Sequence, residues 1–252
     1  MISEKHLHDL QQAIKEIFNL PLAQQPEVIV NLGCGKGGLL FEIYQMICNH
    51  TLRGENLEDH SLQIFGIDAS QDLLETASKK LASESVKAHM LLGDIQQPSE
   101  IHNLLLKNGV TENQKIVYIH SYDFSDFKLN DEKTSSKSLK ILAKNQFNNY
   151  TDATGKKLEN IRILKTWQQH LQGYADQIED NHLIFIGTHL GETLETSASN
   201  KKTKQSDTKK FSITGENLIS AEAFITLSAS VGLFTNHPSK RYPNTDTYTE
   251  TG

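Results

Sequence analysis

The stretch that decides the fold is Glu27–Gly38, EVIVNLGCGKGG, in which a short apolar run ends in a cluster of glycines. Val28, Ile29 and Val30 are β-branched and follow Pro26, which is typical of a fully buried strand. Glycine adopts backbone conformations that other residues avoid and lets a ligand lie against the main chain. Apolar residues at helical spacing come next: Leu39, Leu40, Ile43 and Ile47. The stretch therefore predicts a strand, a ligand-binding turn and a helix whose N-terminal N–H groups face the ligand.

Two nucleotide-binding patterns fit these glycines. Gly33, Gly35 and Gly38 satisfy the dinucleotide pattern G-x-G-x-x-G, whereas Gly33, Gly35 and Gly37 satisfy the G-x-G-x-G of methyltransferases. Both patterns require a strand before the turn and a helix after it, and both are predicted here. The glycines alone leave the two interpretations open.

Composition limits the class of protein. A chain of 252 residues can bury the core of one large α/β domain. Its hydrophobic content of 37% and mean hydropathy of -0.46 are low, which indicates long polar insertions. The sequence has neither an apolar run of membrane-spanning length nor a signal-peptide core near its N-terminus. We therefore predict a soluble, cytoplasmic protein without a membrane partner.

Charge and cysteine usage exclude further classes. The formal net charge of -6 gives no footprint for nucleic acid, and the lysines within 201–210 are diluted by polar residues, as in a solvated loop. Cys34 and Cys48 form neither a disulfide framework nor a metal-ligand spacing. We expect no nucleic-acid partner and no metal.

The rest of the chain repeats strands and helices in alternation, which favours an α/β, doubly wound, Rossmann-like and mostly parallel sheet. Further strands are predicted at Leu62–Asp68, Val86–Leu92, Ile116–Ile119 and His182–Thr188. Helices are predicted at Ser3–Leu20, Ser70–Ala82, Leu158–Ile178, Ser220–Val231 and around Leu104. The polar connection 49–61, the insertion 124–157, the loop 195–210 and a hairpin-like tail 233–252 lie outside this pattern.

Acidic residues stand at the carboxyl ends of the second and third predicted strands. Asp68 can accept hydrogen bonds from both hydroxyls of a ribose, although it lies well beyond the roughly 20-residue spacing of the dinucleotide fingerprint. Asp94 and Ile95 can bond an adenine amino group and flank its ring, or they can form an ordinary turn. The long connection before Asp68 argues against NAD.

The fourth and fifth predicted strands end in histidine-containing segments. His120, Ser121 and Tyr122 form the most polar strand end in the chain and are the best place to expect the reacting substrate, with turn chemistry as the alternative. His189 follows the fifth strand and falls on the same sheet edge as His120. The two histidines are predicted to face one cavity.

With VNLGCGKGG, GIDAS and GDI on successive strands, the sequence resembles the class I S-adenosylmethionine-dependent methyltransferases. The further segments HLHDLQQAI, TLRGENL, LLGDIQQPSEI and IFIGTHLGE are similar to methyltransferase domains of polyketide and related natural-product assembly lines. The likeness runs from about His6 to Phe234. It implies a single domain over 1–252, with an N-terminal helix in 1–25, a cofactor-binding half at 26–123, a lid insertion and helix at 124–180, and C-terminal strands and helix at 181–252.

The resemblance also implies roles for individual residues. The cofactor would be S-adenosylmethionine, held by residues of the first four strand ends: Asn31, Gly33, Cys34, Gly35, Gly37, Asp68, Ala69, Asp94, Ile95, His120 and Ser121. Among these, Asp68 would bind the ribose, Asp94 and Ile95 the adenine, and His120 with Ser121 would border the sulfonium. His189 or His120 would act as the base, with Tyr122 positioning an oxygen.

The sequence departs from that group at three places. Asn31 and Lys36 stand where acids are usual, and HSYDFSDF lacks the D-H-D-like pattern with which some members bind a metal. The leading hypothesis is methyl transfer to a small-molecule or carrier-protein-bound acceptor, at carbon, oxygen or nitrogen. The alternatives are a binding domain without turnover and, from the second glycine register, a nicotinamide oxidoreductase.

Overall fold

Within the described residues of the computed structural model, five parallel strands form one sheet in the order β3-β2-β1-β4-β5. The strands are β1 (Val28–Leu32), β2 (Gln63–Asp68), β3 (His89–Leu92), β4 (Ile116–His120) and β5 (Leu183–Gly187). The structure describes residues 4–120, 137–144, 158–177, 183–187, 219 and 221–233. The α/β fold with a parallel, Rossmann-like sheet is confirmed.

Eight α-helices connect and cover these strands in the described part of the chain, and a short 3₁₀ helix lies at Leu22–Gln24. The α-helices are α1 (Glu4–Ile17), α2 (Gly38–His50), α3 (Leu52–Glu55), α4 (Gln71–Ser83), α5 (Pro98–Lys107), α6 (Lys137–Lys144), α7 (Asn160–Ala175) and α8 (Ala221–Ser230). The hydroxyl of Ser70 caps α4 by accepting from the backbone N–H of Leu73. Gly109 and Gly232, with φ of 95° and 86°, follow α5 and α8 and supply the left-handed conformation that ends a helix.

Helices pack on both faces of the sheet, as the doubly wound arrangement requires. One core joins α1, α2 and α4 to the sheet through residues such as Ile14, Ile43 and Ile29. On the other face α5 and α7 meet the strands through residues such as Ile101, Tyr174 and Val30. A third apolar cluster packs α6 and α8 against the outer side of α7: Leu139, Leu158, Ile163, Leu164, Trp167, Leu171, Ile219, Ala223, Leu227 and Val231. Helix α7 is therefore buried on two sides.

Two predicted boundaries were wrong, and one helix of the insertion was not predicted. β3 begins at His89 instead of Val86, because Ser85 has a φ of 60° and the N–H of Val86 donates to the carbonyl of Leu81, closing α4. Helix α7 ends at Ala175, and Ile178 lies outside the described residues. The insertion 124–157 contains α6, a helix that the apolar residues of this segment do not predict.

The connection 49–61 contains helix α3, which composition did not predict. The buried guanidinium of Arg53 donates through Nε to Oε1 of Gln25 at 2.8 Å and through Nη1 to the carbonyl of His60 at 3.2 Å. A Cβ on Gly54 would lie 2.3 Å from the backbone oxygens of Ile47 and Cys48, so only glycine fits there. Gln25 and His60 lie just before β1 and β2. The TLRGENL segment therefore stabilises the end of the sheet at which these two strands begin.

Other predicted features fall outside the described residues. These are most of the insertion, the loop 195–210 with its lysines, and the tail after Leu233. The lid and the division of 1–252 into functional parts therefore stay predictions. Across the part of the chain that is described, none of the helices combines the length and apolarity needed to cross a membrane.

Candidate functional site

The carboxyl ends of all five strands meet at one edge of the sheet. The register places Leu32 of β1 beside His120 of β4, and His120 beside Gly187 of β5. Because the chain builds β1, β2 and β3 in one direction and then continues with β4 and β5 on the other side, the topological switch lies between β1 and β4. Open α/β sheets bind ligands at this point. The glycine turn after β1 and the histidine that ends β4 are thus neighbours in the expected crevice.

Asp68 ties the glycine turn to the end of β2. Its Oδ2 accepts the backbone N–H of Gly35 at 2.9 Å, and its Oδ1 accepts the N–H of Ser70 at 2.9 Å. The N–H groups of Gly33 and Cys34 donate to the carbonyl of Ile67 at 2.8 and 3.0 Å. Each carboxylate oxygen has a second lone pair, so the half-buried Asp68 can accept further hydrogen bonds from a ligand.

The backbone of the turn distinguishes between the two glycine patterns. Gly33, Gly35 and Gly37 have φ of 67°, 52° and 74°, in the left-handed region that favours glycine. Gly38 has no positive φ and begins helix α2, and a Cβ placed there would meet only Nζ of Lys80, at 3.5 Å. The glycines that the fold requires are therefore those of G-x-G-x-G, and the third glycine of the dinucleotide pattern is not needed for close packing.

Gly35 and Gly37 differ in their surroundings. A Cβ on Gly37 would lie 3.1 Å from Cβ of Ala77, so this glycine lets the turn pack against α4. A Cβ on Gly35 would meet nothing within 4 Å. Gly35 therefore borders open space directly beside the Asp68 carboxylate.

The loop after β3 forms the next part of the crevice. The N–H of Gly93 donates to the carbonyl of Asp68 at 3.1 Å, which ties this loop to the end of β2. Oδ1 of Asp94 accepts the N–H of Gln96 at 2.9 Å, as in a turn, and Asp94 and Ile95 are half-buried. The hydroxyl of Tyr174 on α7 donates to the carbonyl of Ile95 at 3.2 Å. Helix α7 thus supports the loop on which adenine recognition was predicted.

Two predicted residues turn their side chains into the protein. Asn31 is fully buried in β1, where the register pairs it with Gly66 and Ile119. The thiol of Cys34 is buried near Met90 and Gly66, and burial, with a smaller contribution from the Asp68 charge, raises its pKa to about 12. Cys34 is therefore a neutral packing residue whose backbone belongs to the turn. Ala69 and Lys36 are exposed.

His120 is in contact with a second histidine that the sequence patterns did not single out. Its Nε2 lies 3.1 Å from Nε2 of His170 on α7, and the two side chains are 3% and 4% exposed. Burial lowers the pKa of His170 from 6.5 to about 3, so its ring is neutral. His170 lies three residues after Trp167 and four before Tyr174, on the buried face of the predicted helix. That spacing is the signal that could have identified it.

A row of rings continues from this pair toward the loop after β3. The ring centroids of His170 and Tyr174 are 5.1 Å apart, and those of Tyr174 and Tyr118 are 5.6 Å apart. Burial is the main cause that raises the pKa of both tyrosines, which keeps their hydroxyls protonated. One face of α7 therefore contacts both the end of β4 and the loop after β3.

The remaining predicted site residues cannot be placed. Ser121, Tyr122 and His189 lie outside the described residues, although β5 ends at Gly187 beside His120. The predicted meeting of His189 and His120 therefore stays a prediction. Within the described ranges, no group of three or more His, Cys, Asp or Glu side chains is arranged to hold a metal ion.

The sheet order, the left-handed glycine turn after β1 and the acid that ends β2 together define a Rossmann-like fold of the class I methyltransferase type. The family model Methyltransf_36, described as AprA MT2-like domain, matches residues 1–251. The chain belongs to this family of methyltransferase domains.

The solved structures that match this chain include larger proteins of low identity. The cyclopropane synthase MmaA2 from Mycobacterium tuberculosis is 10% identical with a TM-score of 0.49, over 94% of this chain and 64% of that one. The mitomycin 7-O-methyltransferase MmcR is 14% identical with a TM-score of 0.47, over 90% and 47%. An O-methyltransferase family protein from Burkholderia thailandensis is 10% identical with a TM-score of 0.46, over 92% and 53%. The chain thus spans less than two thirds of each, and no curated protein matches it significantly.

Proposed function

We propose that this chain binds S-adenosylmethionine and transfers a methyl group to a small-molecule or carrier-bound acceptor. Membership of a methyltransferase family supports the reaction class. The single observation that carries the proposal is the pairing of Asp68 with the N–H of Gly35 beside open space, next to the strand that ends in His120.

The residues of the crevice fit this cofactor chemically. The space at Gly35 is where a Cβ would intrude, and the N-terminus of α2, which directly follows the turn, can receive the amino-acid portion. Asp68 can accept the ribose hydroxyls with the lone pairs that Gly35 and Ser70 leave. Asp94 and Ile95 can bind the adenine edge and face. When bound, S-adenosylmethionine supplies an electrophilic methyl group and leaves as S-adenosylhomocysteine, which keeps the electron pair of the broken carbon–sulfur bond.

The protein's own contribution to the reaction is orientation and proton removal. An acceptor held in line at about 3–3.5 Å needs little further activation unless it carries a proton that must leave. His120 lies at the switch point and is the described residue best suited to take that proton, as carbon acids such as β-carbonyl thioesters require. His189, Tyr122 and Ser121 complete the proposed set, with His189 as a second candidate base.

A binding domain without turnover is the second candidate, and one observation favours it. The side chain of Asn31 is fully buried at the end of β1, and Lys36 in the turn is exposed, so neither places a carboxylate beside the cationic cofactor. Weaker electrostatic attraction at this edge would reduce affinity for the sulfonium more than affinity for its neutral product.

Methyl transfer from labelled S-adenosylmethionine is the test. Acceptors should include β-ketoacyl thioesters of pantetheine and of a carrier protein, together with phenolic and amine acceptors. The proposal expects label on at least one acceptor, lost in His120→Ala and kept in the control His102→Ala. The Nε2 of His102 on α5 lies 3.4 Å from Oε2 of the exposed Glu112. Cofactor binding without transfer to any acceptor would favour the second candidate.

A further inference from the structure

The contact between His120 and His170 joins the end of β4 to the middle of α7. Their Nε2 atoms are 3.1 Å apart, within hydrogen-bond distance, and the ring planes meet at 65°. Both side chains are nearly completely buried. A nitrogen–nitrogen hydrogen bond needs one proton, so one ring donates and the other accepts.

A positive charge on His120 would determine which of the two rings accepts. A protonated imidazole has an N–H at both nitrogens, so it can only donate. His170 is then the acceptor, with an unprotonated Nε2 and its proton on Nδ1. The low pKa that burial gives His170 is consistent with this role, because a second positive charge on His170 would be desolvated.

The surroundings hold His170 in position. Trp167 and Leu171 fix α7 from its outer side through the cluster with α6 and α8. Gly173 approaches α5 so closely that a Cβ would lie 2.8 Å from Cγ of Pro98. Within the described residues, the ring of Tyr174 on α7 faces His170. Tyr174 in turn contacts Tyr118 of β4 and interacts with the charge of Asp94 in the loop after β3.

We propose that His170 is a positioning residue for His120: it accepts the Nε2–H of His120 and thereby makes Nδ1 the basic nitrogen. This inference rests on the proposed function, since it assigns His120 its tautomer and its basicity in that reaction. During methyl transfer, the proton leaves the atom of the substrate that is methylated and ends on Nδ1 of His120. The Nε2–H stays with His120 and its hydrogen bond to His170 stabilises the imidazolium. No oxidant, reductant or further reactant is involved.

The first test needs only the wild-type protein and no methyl acceptor. Nitrogen-15 NMR of histidine-labelled protein at pH 8 should show His120 protonated at Nε2, His170 protonated at Nδ1, and a scalar coupling between the two Nε2 nuclei across the hydrogen bond. Assignment uses the spectra of His120→Gln and His170→Gln. The opposite tautomers, or the absence of a coupling in a folded sample, would overturn the proposal.

The second test compares two substitutions at one position. His170→Phe removes the acceptor, whereas His170→Gln provides an amide oxygen in its place. We expect the acid limb of the kcat–pH profile to move down by about one to two pH units in His170→Phe, because a hydrogen bond to a charged group is lost. The profile of His170→Gln should stay close to that of the wild type, because the amide oxygen accepts the same hydrogen bond. Equal kcat–pH profiles for His170→Phe and wild type would contradict the positioning role of His170. A profile of His170→Gln shifted as far as that of His170→Phe would also contradict it.

Binding of S-adenosylhomocysteine separates this inference from the proposed function. Both His170 variants should bind it as the wild type does, because His170 is assigned no contact with the cofactor. If the wild-type protein binds no cofactor and transfers no methyl group, the proposed function fails, yet the tautomers of the histidine pair are still measured by NMR. If the chemistry is present and the tautomers are wrong, only the role of His170 fails.

Discussion

The backbone N–H of Gly35 donates to Oδ2 of Asp68 at 2.9 Å across a separation of 33 residues. This bond joins the two sequence features that suggested a nucleoside ligand, the glycine turn and the acid that ends β2. It gives Asp68 a structural task, because the carboxylate orients the turn through one oxygen and caps the loop at Ser70 through the other. The remaining lone pairs of the carboxylate can accept hydrogen bonds from a ligand.

Substitution of Gly35 should show whether the open space beside it binds the ligand, apart from the cost of backbone strain. Gly35→Ala forces a left-handed alanine, at a cost of about 1–2 kcal/mol, and places a methyl group in the open space. Gly109→Ala is the matched control, since Gly109 has a φ of 95°, meets nothing within 4 Å and follows α5. We expect similar losses in urea unfolding for both variants, but loss of S-adenosylhomocysteine binding only for Gly35→Ala. Equal affinity in the two variants would show that the open space beside Gly35 is not the binding site.

Asp68→Asn should weaken both the turn and ligand binding. One oxygen becomes an NH₂ group, so the N–H of Gly35 or of Ser70 loses its acceptor. Loss of a hydrogen bond to a charged group predicts destabilisation of about 1.5–3 kcal/mol and at least a tenfold rise in the Kd for S-adenosylhomocysteine, measured by calorimetry. The exposed Asp59 gives the control Asp59→Asn, which should change neither quantity. A wild-type Kd in Asp68→Asn would remove Asp68 from the site.

Protonation of His170 should contribute to acid unfolding. Its pKa is about 3 in the folded protein against 6.5 in the unfolded chain. A depressed folded pKa means that the stabilisation is present above pH 6.5 and is lost as the pH falls toward 3. His170→Gln removes this titration but keeps an acceptor for His120, so its loss of stability between pH 7.5 and 5.0 should be about 2 kcal/mol smaller than that of the wild type.

Urea unfolding at each pH measures this difference. The exposed His50 at the end of α2 provides the control His50→Gln, which should keep the wild-type slope. Identical slopes for His170→Gln and wild type would mean that His170 is not buried as a neutral ring.

The thiol of Cys34 should be unreactive in the folded protein although it lies in the binding turn. With a pKa of about 12, only about one thiol in ten thousand is ionised at pH 8, and the side chain is buried. Maleimide treatment followed by peptide mass spectrometry should label Cys48 faster than Cys34 in the native state, and both in denaturant. Rapid native labelling of Cys34 would show that the turn opens.

The fold could be predicted from the sequence because each signal was local. β-branched residues marked β1, a serine capped α4, and glycines ended α5 and α8, so the five strands and most helices followed from the chain alone, whereas α3 and α6 did not. The choice of G-x-G-x-G over the dinucleotide pattern could not be made that way. It depends on the φ of Gly37 and on its approach to Ala77, which come from the packing of α4 against the turn.

The sequence predicted only those site residues that lie at or directly after the ends of strands. Asp68 and His120 end their strands, and a parallel sheet brings such ends together. His170 was missed because it reaches His120 across 50 residues, and a histidine on an amphipathic helix looks like any other packing residue. Arg53 was missed for the same reason, since its partners Gln25 and His60 come from separate connections.

Isothermal titration of the wild-type chain with S-adenosylhomocysteine, beside an identical titration with NADH, tests the central claim most directly. The Asp68–Gly35 pairing and the G-x-G-x-G register predict saturable binding of S-adenosylhomocysteine at one site near neutral pH, and no binding of NADH. Heat from NADH alone, or from neither ligand in a folded sample, would contradict the claim that this crevice is an S-adenosylmethionine site.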